Sequence, residues 1–165
     1  MVILGLDPGF ATIGFGVIES DGRGAKAVDY GTITTPKEKT FPERLVMIER
    51  GVKKLIEKFS PDMIAVEELF FNTNITTGIN VAHARGVIVM TCERELPGRL
   101  YEYTPLQIKQ ALTGYGRADK IQMMQMVKTL LHLDKVPRPD DAADALAVAL
   151  CHSQTSRLGG LFKMQ

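Results

Sequence analysis

The 165-residue sequence contains only two cysteines, Cys92 and Cys151, and their spacing forms no CxxC motif. The absence of that motif argues against a zinc site, and the scarcity of cysteine suits a reducing compartment. The sequence also lacks an apolar run of about 18 residues and a basic leader followed by an apolar stretch. We therefore predict a cytoplasmic protein that is neither secreted nor membrane-spanning.

A strong net charge is also missing, because 20 Lys+Arg nearly balance 19 Asp+Glu. The charge is unevenly spread: residues 1–93 hold 10 basic against 12 acidic residues, and residues 94–165 hold 10 against 7. A neutral total can therefore hide a basic surface beside an acidic site. With 45% hydrophobic residues, the chain can bury the core of one domain. We place that domain at residues 1–155 and expect residues 156–165 to form a loosely ordered tail.

Acidic residues follow two apolar runs of strand length. Residues 2–6 form the first run, which ends at Asp7, and residues 64–66 form the second, which ends at Glu67 and Glu68. Open α/β sheets bind their ligands at the carboxyl ends of strands. We prefer Glu67 to Glu68 as the inward-facing acid, because successive side chains of a strand point to opposite faces.

A third group of acids begins the last predicted helix, where Asp140 or Asp141 can cap the free N–H groups. Capping and complementing of the helix dipole would explain these acids without any metal. The sequence that follows, residues 145–150, is apolar nearly all round and predicts a buried helix. Asp144, which shares a face with Asp141, then needs a cation or a hydrogen-bond donor. Acids from three distant segments would form an oxygen-ligand site for Mg²⁺ or Mn²⁺ if the fold gathers them.

The remaining pattern predicts an α/β domain with the order βββαβαβα. Three consecutive strands with short links should be antiparallel neighbours, and strand 62–67 should run parallel to the first strand. Gly5, Gly9, Gly14 and Gly16 surround Asp7. They permit a backbone or a phosphate to approach closely, although tight turns and strand bulges explain them equally well.

Several residues outside the acidic segments could contact DNA. Phe70 lies in a polar loop directly after the second acidic pair, where an aromatic can cover the core or stack on nucleobases. Lys109, Arg117 and Lys120 surround a glycine-containing break between two helices. Solvated surface charge is the ordinary explanation for each cation, but three of them near a loop also fit phosphate contacts.

The predicted helix 76–96 is apolar on more than one face, so it should bury both faces. One face can pack on the sheet, and the other suggests a partner subunit. Ala82 and Gly86 would allow two helices to approach closely, and we place Val89 in the same interface. His83 is more readily explained as a packed or interface residue than as a metal ligand.

Four segments resemble those of the bacterial RuvC Holliday-junction resolvases: residues 5–9 (GLDPG), 65–70 (AVEELF), 84–87 (ARGV) and 141–147 (DAADALA). The resemblance spans residues 2 to about 153. It implies a ribonuclease H-like fold with a five-stranded mixed sheet, three strands antiparallel and two parallel, flanked by helices. It also implies that the metal-binding catalytic carboxylates are Asp7, Glu67, Asp141 and Asp144.

By the same resemblance, Phe70 inserts at the junction core, Lys109 and Lys120 serve the DNA backbone, and Arg85 and Arg117 belong to the DNA-binding set. The family implies a homodimer that nicks a four-way DNA junction symmetrically with Mg²⁺, two ions per site, or Mn²⁺ as a substitute. A branch-migration motor is the implied further partner. Two rival classes are a same-fold RNA-processing nuclease or binding module, and an actin-like ATPase fragment, which the Asp-Pro-Gly start also resembles.

Overall fold

The computed structural model describes residues 1–69, 75–155 and 162–164, without the side chains of residues 75–77. These ranges contain five strands and five helices. In chain order they are β1 (Val2–Asp7), β2 (Thr12–Ser20), β3 (Ala25–Thr34), α1 (Phe41–Phe59), β4 (Met63–Glu67), α2 (Ile75–Glu95), β5 (Leu100–Tyr103), α3 (Pro105–Thr113), α4 (Lys120–Leu130) and α5 (Asp140–Thr155).

The five strands form one mixed sheet in the order β3-β2-β1-β4-β5. β2 pairs antiparallel with both β1 and β3, whereas β4 pairs parallel with both β1 and β5. The predicted fold class, a five-stranded mixed sheet flanked by helices, is confirmed. The two parallel pairings bring the carboxyl ends of β1, β4 and β5 to the same edge of the sheet.

Helices cover both faces of the sheet, and the alternation of side chains divides the core in two. Leu4 and Leu6 of β1 face the layer of α1 and α2, whereas Ile3 faces the layer of α3, α4 and α5. Asp7 has the same parity as Ile3, so it points to the α5 side. None of the described helices is long and apolar enough to cross a membrane.

Three glycines of β1 and β2 allow the backbone of α5 to lie directly on the sheet. A Cβ atom built on Gly14 would lie 1.9 Å from the carbonyl oxygen of Asp141, and one on Gly5 would lie 2.2 Å from that of Ala145. A Cβ atom on Gly16 would lie 2.7 Å from the backbone nitrogen of Leu146. Of the explanations that the sequence left open for these glycines, close approach of a backbone is therefore the one that applies.

The helix starts follow the capping signals except at α5. Thr40, Thr104 and Asp119 each form a capping box at α1, α3 and α4. At α5, by contrast, the N–H groups of Ala142 and Ala143 donate to the carbonyl of Pro139 at 3.0 and 3.3 Å. Asp140 and Asp141 lie inside the first turn, so the expectation that one of them is the cap was wrong. Both carboxylates keep their position near the positive end of the helix dipole.

Part of the C-terminal tail packs on the domain. Residues 162–164 lie beside β5, where Lys163 forms an antiparallel bridge with Tyr101 and the Phe162 ring lies 5.1 Å from the Tyr103 ring. The loosely ordered tail stays a prediction, and these contacts show only where three of its residues lie. Residues 156–161 and 165 lie outside the described part of the chain.

Candidate active site

Asp7 and Glu67 stand side by side at the carboxyl ends of two parallel strands. Leu6 pairs with Val66 in the register of β1 and β4, so the next residue of each strand is an acid on the α5 side. The two carboxyl groups are close enough for the charge of Glu67 to raise the pKa of Asp7. Glu68 is exposed, and its backbone N–H donates to the carbonyl of Tyr103 at 2.9 Å. The structure thus separates the two adjacent glutamates, and only Glu67 joins Asp7.

Burial raises the pKa of Asp7 well above its ordinary value, and the negative charges of Glu67, Asp144 and Asp141 raise that pKa further. Burial also raises the pKa of Glu67, with Asp144 adding to the effect and the nearby charge of Lys109 opposing it. Both shifts mean that the ionised forms are costly in this environment without a compensating cation. Strongly perturbed acids of this kind are typical of functional sites.

The two acids of α5 approach the same edge of the sheet. Gly14 pairs with Asp7 across β1 and β2 and lies beneath the backbone of Asp141, so the start of α5 is held above the strand ends. Burial raises the pKa of Asp144, and Lys120 partly offsets this shift. The charge of Asp141 raises the pKa values of both Asp7 and Asp144. The fold therefore brings the four predicted acids into electrostatic contact.

A cavity of about 240 Å³ opens between these strand ends and the helices of the α5 layer. Its lining combines acidic, basic and apolar side chains: Asp7, Glu67, Pro105, Ile108, Lys109, Lys120, Met123, Asp144 and Ala147. Asp141 is not among the described lining residues, but its charge raises the pKa of two residues that are, Asp7 and Asp144. Three acids and two lysines that face one small cavity can bind an anionic phosphate together with a cation.

The lysines enter the cavity from two different helices. Lys109 lies on α3, and its positive charge lowers the pKa of Glu67. Lys120 is the first residue of α4, and its Nζ lies 3.1 Å from Oδ2 of Asp140 and 3.6 Å from Oδ2 of Asp144. Arg117 is exposed in the loop before α4, outside the described lining of the cavity. Two of the three predicted cations therefore reach the acids.

The pairing of Asp140 with Lys120 is a feature that sequence reasoning missed. Asp140 also accepts a hydrogen bond from the guanidinium of Arg138, and the Lys120 and Arg138 charges lower the pKa of Asp140 below its ordinary value. Asp140 and Lys120 lie on different helices and share no sequence motif. The one relevant sequence signal is the capping box at Asp119, which places Lys120 at the first position of α4.

The chemistry of the acids fits a divalent metal. No three Asp, Glu, His or Cys side chains in the described part of the chain converge closely enough to form a ready metal-binding group. The four predicted ligands are nevertheless all carboxylates, the hard oxygen donors that Mg²⁺ and Mn²⁺ prefer. Burial and the charges of the neighbouring acids raise the pKa of Asp7, and a bound divalent cation would favour the ionised carboxylates. The residues present can therefore hold the ion.

Two predicted DNA-binding residues do not join this group. Arg85 on α2 forms an ion pair with Glu102 of β5 at 2.7 Å. Its Nε is buried without a hydrogen-bond partner among the described residues. Its contact with DNA stays a prediction that would require this ion pair to open. Phe70 lies outside the described residues.

The predicted interface helix α2 does expose one narrow stripe. Ile79, His83, Gly86 and Met90, spaced by helical turns, are all exposed and are called the α2 stripe below. Ala82 and Val89, which the sequence assigned to the interface, are only partly exposed. Val89 also packs against the buried core beneath α2.

His83 is exposed on the α2 stripe but is not isolated. Its ring lies 5.4 Å from the Phe41 ring in an edge-to-face arrangement, and Phe41 in turn lies 5.4 Å from the Phe10 ring. These aromatic contacts connect α2 with the start of α1 and the loop that follows Asp7. The prediction that His83 is a packed or interface residue stays open, because the contact within the chain leaves the ring accessible.

Comparison with known proteins gives consistent matches along the whole chain. The family model described as crossover junction endodeoxyribonuclease RuvC matches residues 3–152. The protein named crossover junction endodeoxyribonuclease RuvC from Alkaliphilus oremlandii is 53% identical over 165 residues, with 100% of each chain covered. The protein of the same name from Clostridioides difficile is 50% identical over 159 residues, which cover 96% of this chain and 93% of the relative.

The solved structure of Thermus thermophilus RuvC has a TM-score of 0.89 at 34% identity and covers 99% of this chain and 100% of that one. The same protein in complex with a Holliday junction substrate matches with a TM-score of 0.89 at 32% identity, covering 99% of this chain and 100% of that one. The yeast mitochondrial Holliday junction resolvase Ydc2, at 16% identity and a TM-score of 0.68, shares the fold. The chain therefore belongs to the RuvC family of crossover junction endodeoxyribonucleases.

Proposed function

We propose that the protein is a structure-specific endonuclease that resolves four-way DNA junctions in recombination and repair. The observation that carries this proposal is the gathering of Asp7, Glu67 and Asp144 with Lys109 and Lys120 around one cavity at the carboxyl edge of the sheet. Family membership supports it, and so does the match to a relative whose structure contains a Holliday junction substrate.

Four carboxylates would hold the divalent metal: Asp7, Glu67, Asp141 and Asp144. Mg²⁺ is the expected ion, with two ions per site, and Mn²⁺ could substitute for it. When bound, a divalent cation supplies positive charge to the reacting phosphate and makes water a better nucleophile. Asp7 and Glu67 are held by strand ends and Asp144 by a buried helix, so little reorganisation is needed on binding.

The proposed reaction is hydrolysis of a phosphodiester bond. Water attacks the phosphorus, the bond to the 3′-oxygen breaks, and the products are a 5′-phosphate and a 3′-hydroxyl that a ligase can join. No protein nucleophile is needed, and the cavity is lined only by acids, lysines, a proline and apolar side chains within the described residues. Lys109 and Lys120 face the same space and can neutralise charge on the phosphate that is cut.

We propose that two copies of the chain form a homodimer through the α2 stripe. Ile79 and Met90 are half-exposed, at 50% and 51%, and Gly86 would allow a second helix to approach closely because a Cβ there meets no described atom within 4 Å. A two-fold dimer presents two identical active sites to one junction, which symmetric paired nicking requires. Ala82 and Val89 border this stripe and would contribute less.

The rest of the proposal concerns contacts with the junction and with other proteins. Phe70 would stack on or wedge between bases at the junction centre, since it is only three positions after Glu67 in the sequence. Arg117 would contact phosphates outside the cavity, and Arg85 would do so only after leaving Glu102. A cytoplasmic location and a complex with a branch-migration motor complete the proposal, as the family resemblance implies.

Junction, linear duplex and RNA duplex substrates separate this function from the rival classes. With Mg²⁺, we expect paired nicks at symmetric positions of a four-way junction and little cutting of the other two substrates. Titration with ATP should give no binding, because the chain matches the RuvC family model and not an actin-like ATPase. Cleavage of RNA in preference to the junction, or junction binding without any cleavage, would contradict the proposed activity.

A further inference from the structure

Asp140 immediately precedes the acidic pair of α5, yet its carboxylate is engaged by cations. Its Oδ2 lies 3.1 Å from Nζ of Lys120, and its Oδ1 accepts a hydrogen bond from Arg138. Arg138 lies just before α5, and Lys120 is the first residue of the neighbouring helix α4. Asp140 therefore differs from Asp7 and Glu67, which face other carboxylates and carry no ion pair among the described residues.

Lys120 has two carboxylate partners at different distances. Its Nζ is nearer to Asp140, at 3.1 Å, than to Asp144, at 3.6 Å. The lysine side chain is 55% exposed and flexible, so these carboxylates are what keep its ammonium group at the cavity. Asp144 is also a proposed metal ligand. If Asp144 held a divalent cation, its carboxylate charge would no longer be available to Lys120, and Asp140 would be the principal anchor of the ammonium group.

We propose that Asp140 is a positioning residue that holds the Lys120 ammonium at the cavity, where it contacts the phosphate that is cut. This inference rests on the proposed nuclease function and assigns Asp140 no contact with the metal or the substrate. An exposed ion pair contributes little free energy, so the loss of Asp140 should reduce the population of well-placed Lys120 without removing it. The expected effect on cleavage is therefore a few-fold decrease.

Two other roles for Asp140 make different predictions. In the first alternative, Asp140 only stabilises the helix dipole from the first turn of α5. Its loss would then lower stability but leave the cleavage rate unchanged. An acid next to Asp141 could instead bind the metal, and its loss would then raise the Mg²⁺ concentration required for cleavage. Only a positioning role makes the effect of Asp140 depend on the presence of Lys120.

A double-mutant cycle tests that dependence. Asp140→Asn, Lys120→Ala and the double variant are compared in single-turnover cleavage of a junction with immobile arms, at saturating enzyme and over a range of Mg²⁺ concentrations. We expect Asp140→Asn to slow cleavage about two- to fivefold and Lys120→Ala to slow it about 100-fold. The double variant should be no slower than Lys120→Ala, and the Mg²⁺ requirement of Asp140→Asn should match that of the wild type.

Two further variants serve as controls. Asp140→Glu retains a carboxylate that can reach Lys120 and should recover most of the rate. Glu68 is the control acid, because it is exposed and neighbours the proposed ligand Glu67 in the sequence, as Asp140 neighbours Asp141. Glu68→Gln should cleave like the wild type. Thermal denaturation of each variant verifies that it is folded.

Three results would each overturn the positioning role. The first is a wild-type cleavage rate for Asp140→Asn while Lys120→Ala is slow. The second is that Asp140→Asn slows Lys120→Ala by the same factor as it slows the wild type, and the third is a raised Mg²⁺ requirement of Asp140→Asn. Failure of the underlying nuclease proposal looks different. In that case the wild type itself would not cleave the junction, so the cycle would have no rates to compare.

Discussion

Gly14 of β2 lies directly beneath the first turn of α5, where a Cβ atom on Gly14 would be 1.9 Å from the carbonyl oxygen of Asp141. Gly14 is also the cross-strand partner of Asp7. The absence of one side chain therefore sets the distance between an acid of the sheet and the acids of the last helix. Any larger residue must lift the start of α5 away from the strand ends.

Gly14→Ala should accordingly lower both stability and cleavage. We expect a loss of roughly 1–3 kcal/mol in the free energy of unfolding, typical of overpacking, and a larger loss in cleavage than in junction binding. Denaturant unfolding and single-turnover cleavage measure the two effects. Gly24→Ala is the matched control, because its Cβ would meet no described atom within 4 Å. A wild-type cleavage rate for Gly14→Ala would show that the distance between α5 and the strand ends does not control cleavage.

In the absence of metal, stability should fall as the pH rises from about 4, near the ordinary pKa of these carboxyl groups, to about 8, the raised pKa of Asp7. Burial and neighbouring carboxylates raise the pKa of Asp7 and of Glu67, so the folded state keeps protons that the unfolded chain has released. The contribution of these groups to stability is complete below their ordinary pKa and is lost as the pH rises through the raised values. Thermal denaturation in a chelator over this pH range measures the decline.

Added Mg²⁺ should restore stability at high pH, because the ion takes the place of the protons. Asp7→Asn removes an ionisable group of the site, so it should flatten the decline by about 1 kcal/mol or more and lose most of the stabilisation by Mg²⁺. Glu68→Gln serves as the control and should behave like the wild type. An identical pH dependence for Asp7→Asn and the wild type would contradict this explanation.

Placing a charge on the α2 stripe should give monomers. Met90 is 51% exposed, so Met90→Glu should leave the fold intact while it destabilises an apolar interface. Val28→Glu is the control, because Val28 is 50% exposed on β3, at the far edge of the sheet. Sedimentation should show a dimer for the wild type and Val28→Glu and a monomer for Met90→Glu, which should also lose paired nicking. A Met90→Glu dimer would move the interface elsewhere.

The cations should divide into two functional groups by their place relative to the cavity. Lys109 lines it beside Glu67, so Lys109→Ala should reduce the cleavage step more than junction affinity. Arg117 is exposed outside it, so Arg117→Ala should weaken binding and reduce the log–log salt slope by about one. Lys54→Ala, on the opposite face of the sheet, is the control. Equal salt slopes for Arg117→Ala and Lys54→Ala would exclude the phosphate contact.

Phe70→Ala should separate base contacts from charge. The lost stacking is worth roughly 1–3 kcal/mol and should lower cleavage of the junction without changing the salt slope, because no charge is removed. The metal-dependent stabilisation should stay at the wild-type level. Single-turnover cleavage of an immobile junction provides the measurement, and a wild-type rate would mean that Phe70 only covers the core.

Where an apolar run ends in an acid, sequence reasoning predicted which acids lie next to each other in the fold. The period of two along β4 distinguished Glu67 from Glu68 before any contact was known, and the structure places only Glu67 beside Asp7. The order of the five strands and of the first two helices followed from similar local patterns, whereas three helices rather than one follow β5. These features are predictable because each depends on residues that are close together in the sequence.

Individual contacts between distant elements were not predicted. The pairing of Lys120 with Asp140 joins two helices, and the bridge from Lys163 to Tyr101 joins the tail to β5. In α2 the apolar residues surround the helix, so the sequence could not tell that Val89 faces the core while Met90 faces outward. Such a helix shows its exposed face only when it is packed.

The proposed metal site is tested most directly by single-turnover cleavage of a four-way junction with immobile arms, at saturating enzyme and saturating Mg²⁺. The variants are Asp7→Asn, Glu67→Gln, Asp141→Asn and Asp144→Asn. Each should cleave at least about 10³-fold more slowly than the wild type and still bind the junction, since affinity comes mainly from phosphate neutralisation. Glu68→Gln should cleave normally. Near-normal cleavage by any of the four variants would remove that acid from the site, and near-normal cleavage by all four would contradict the proposed mechanism.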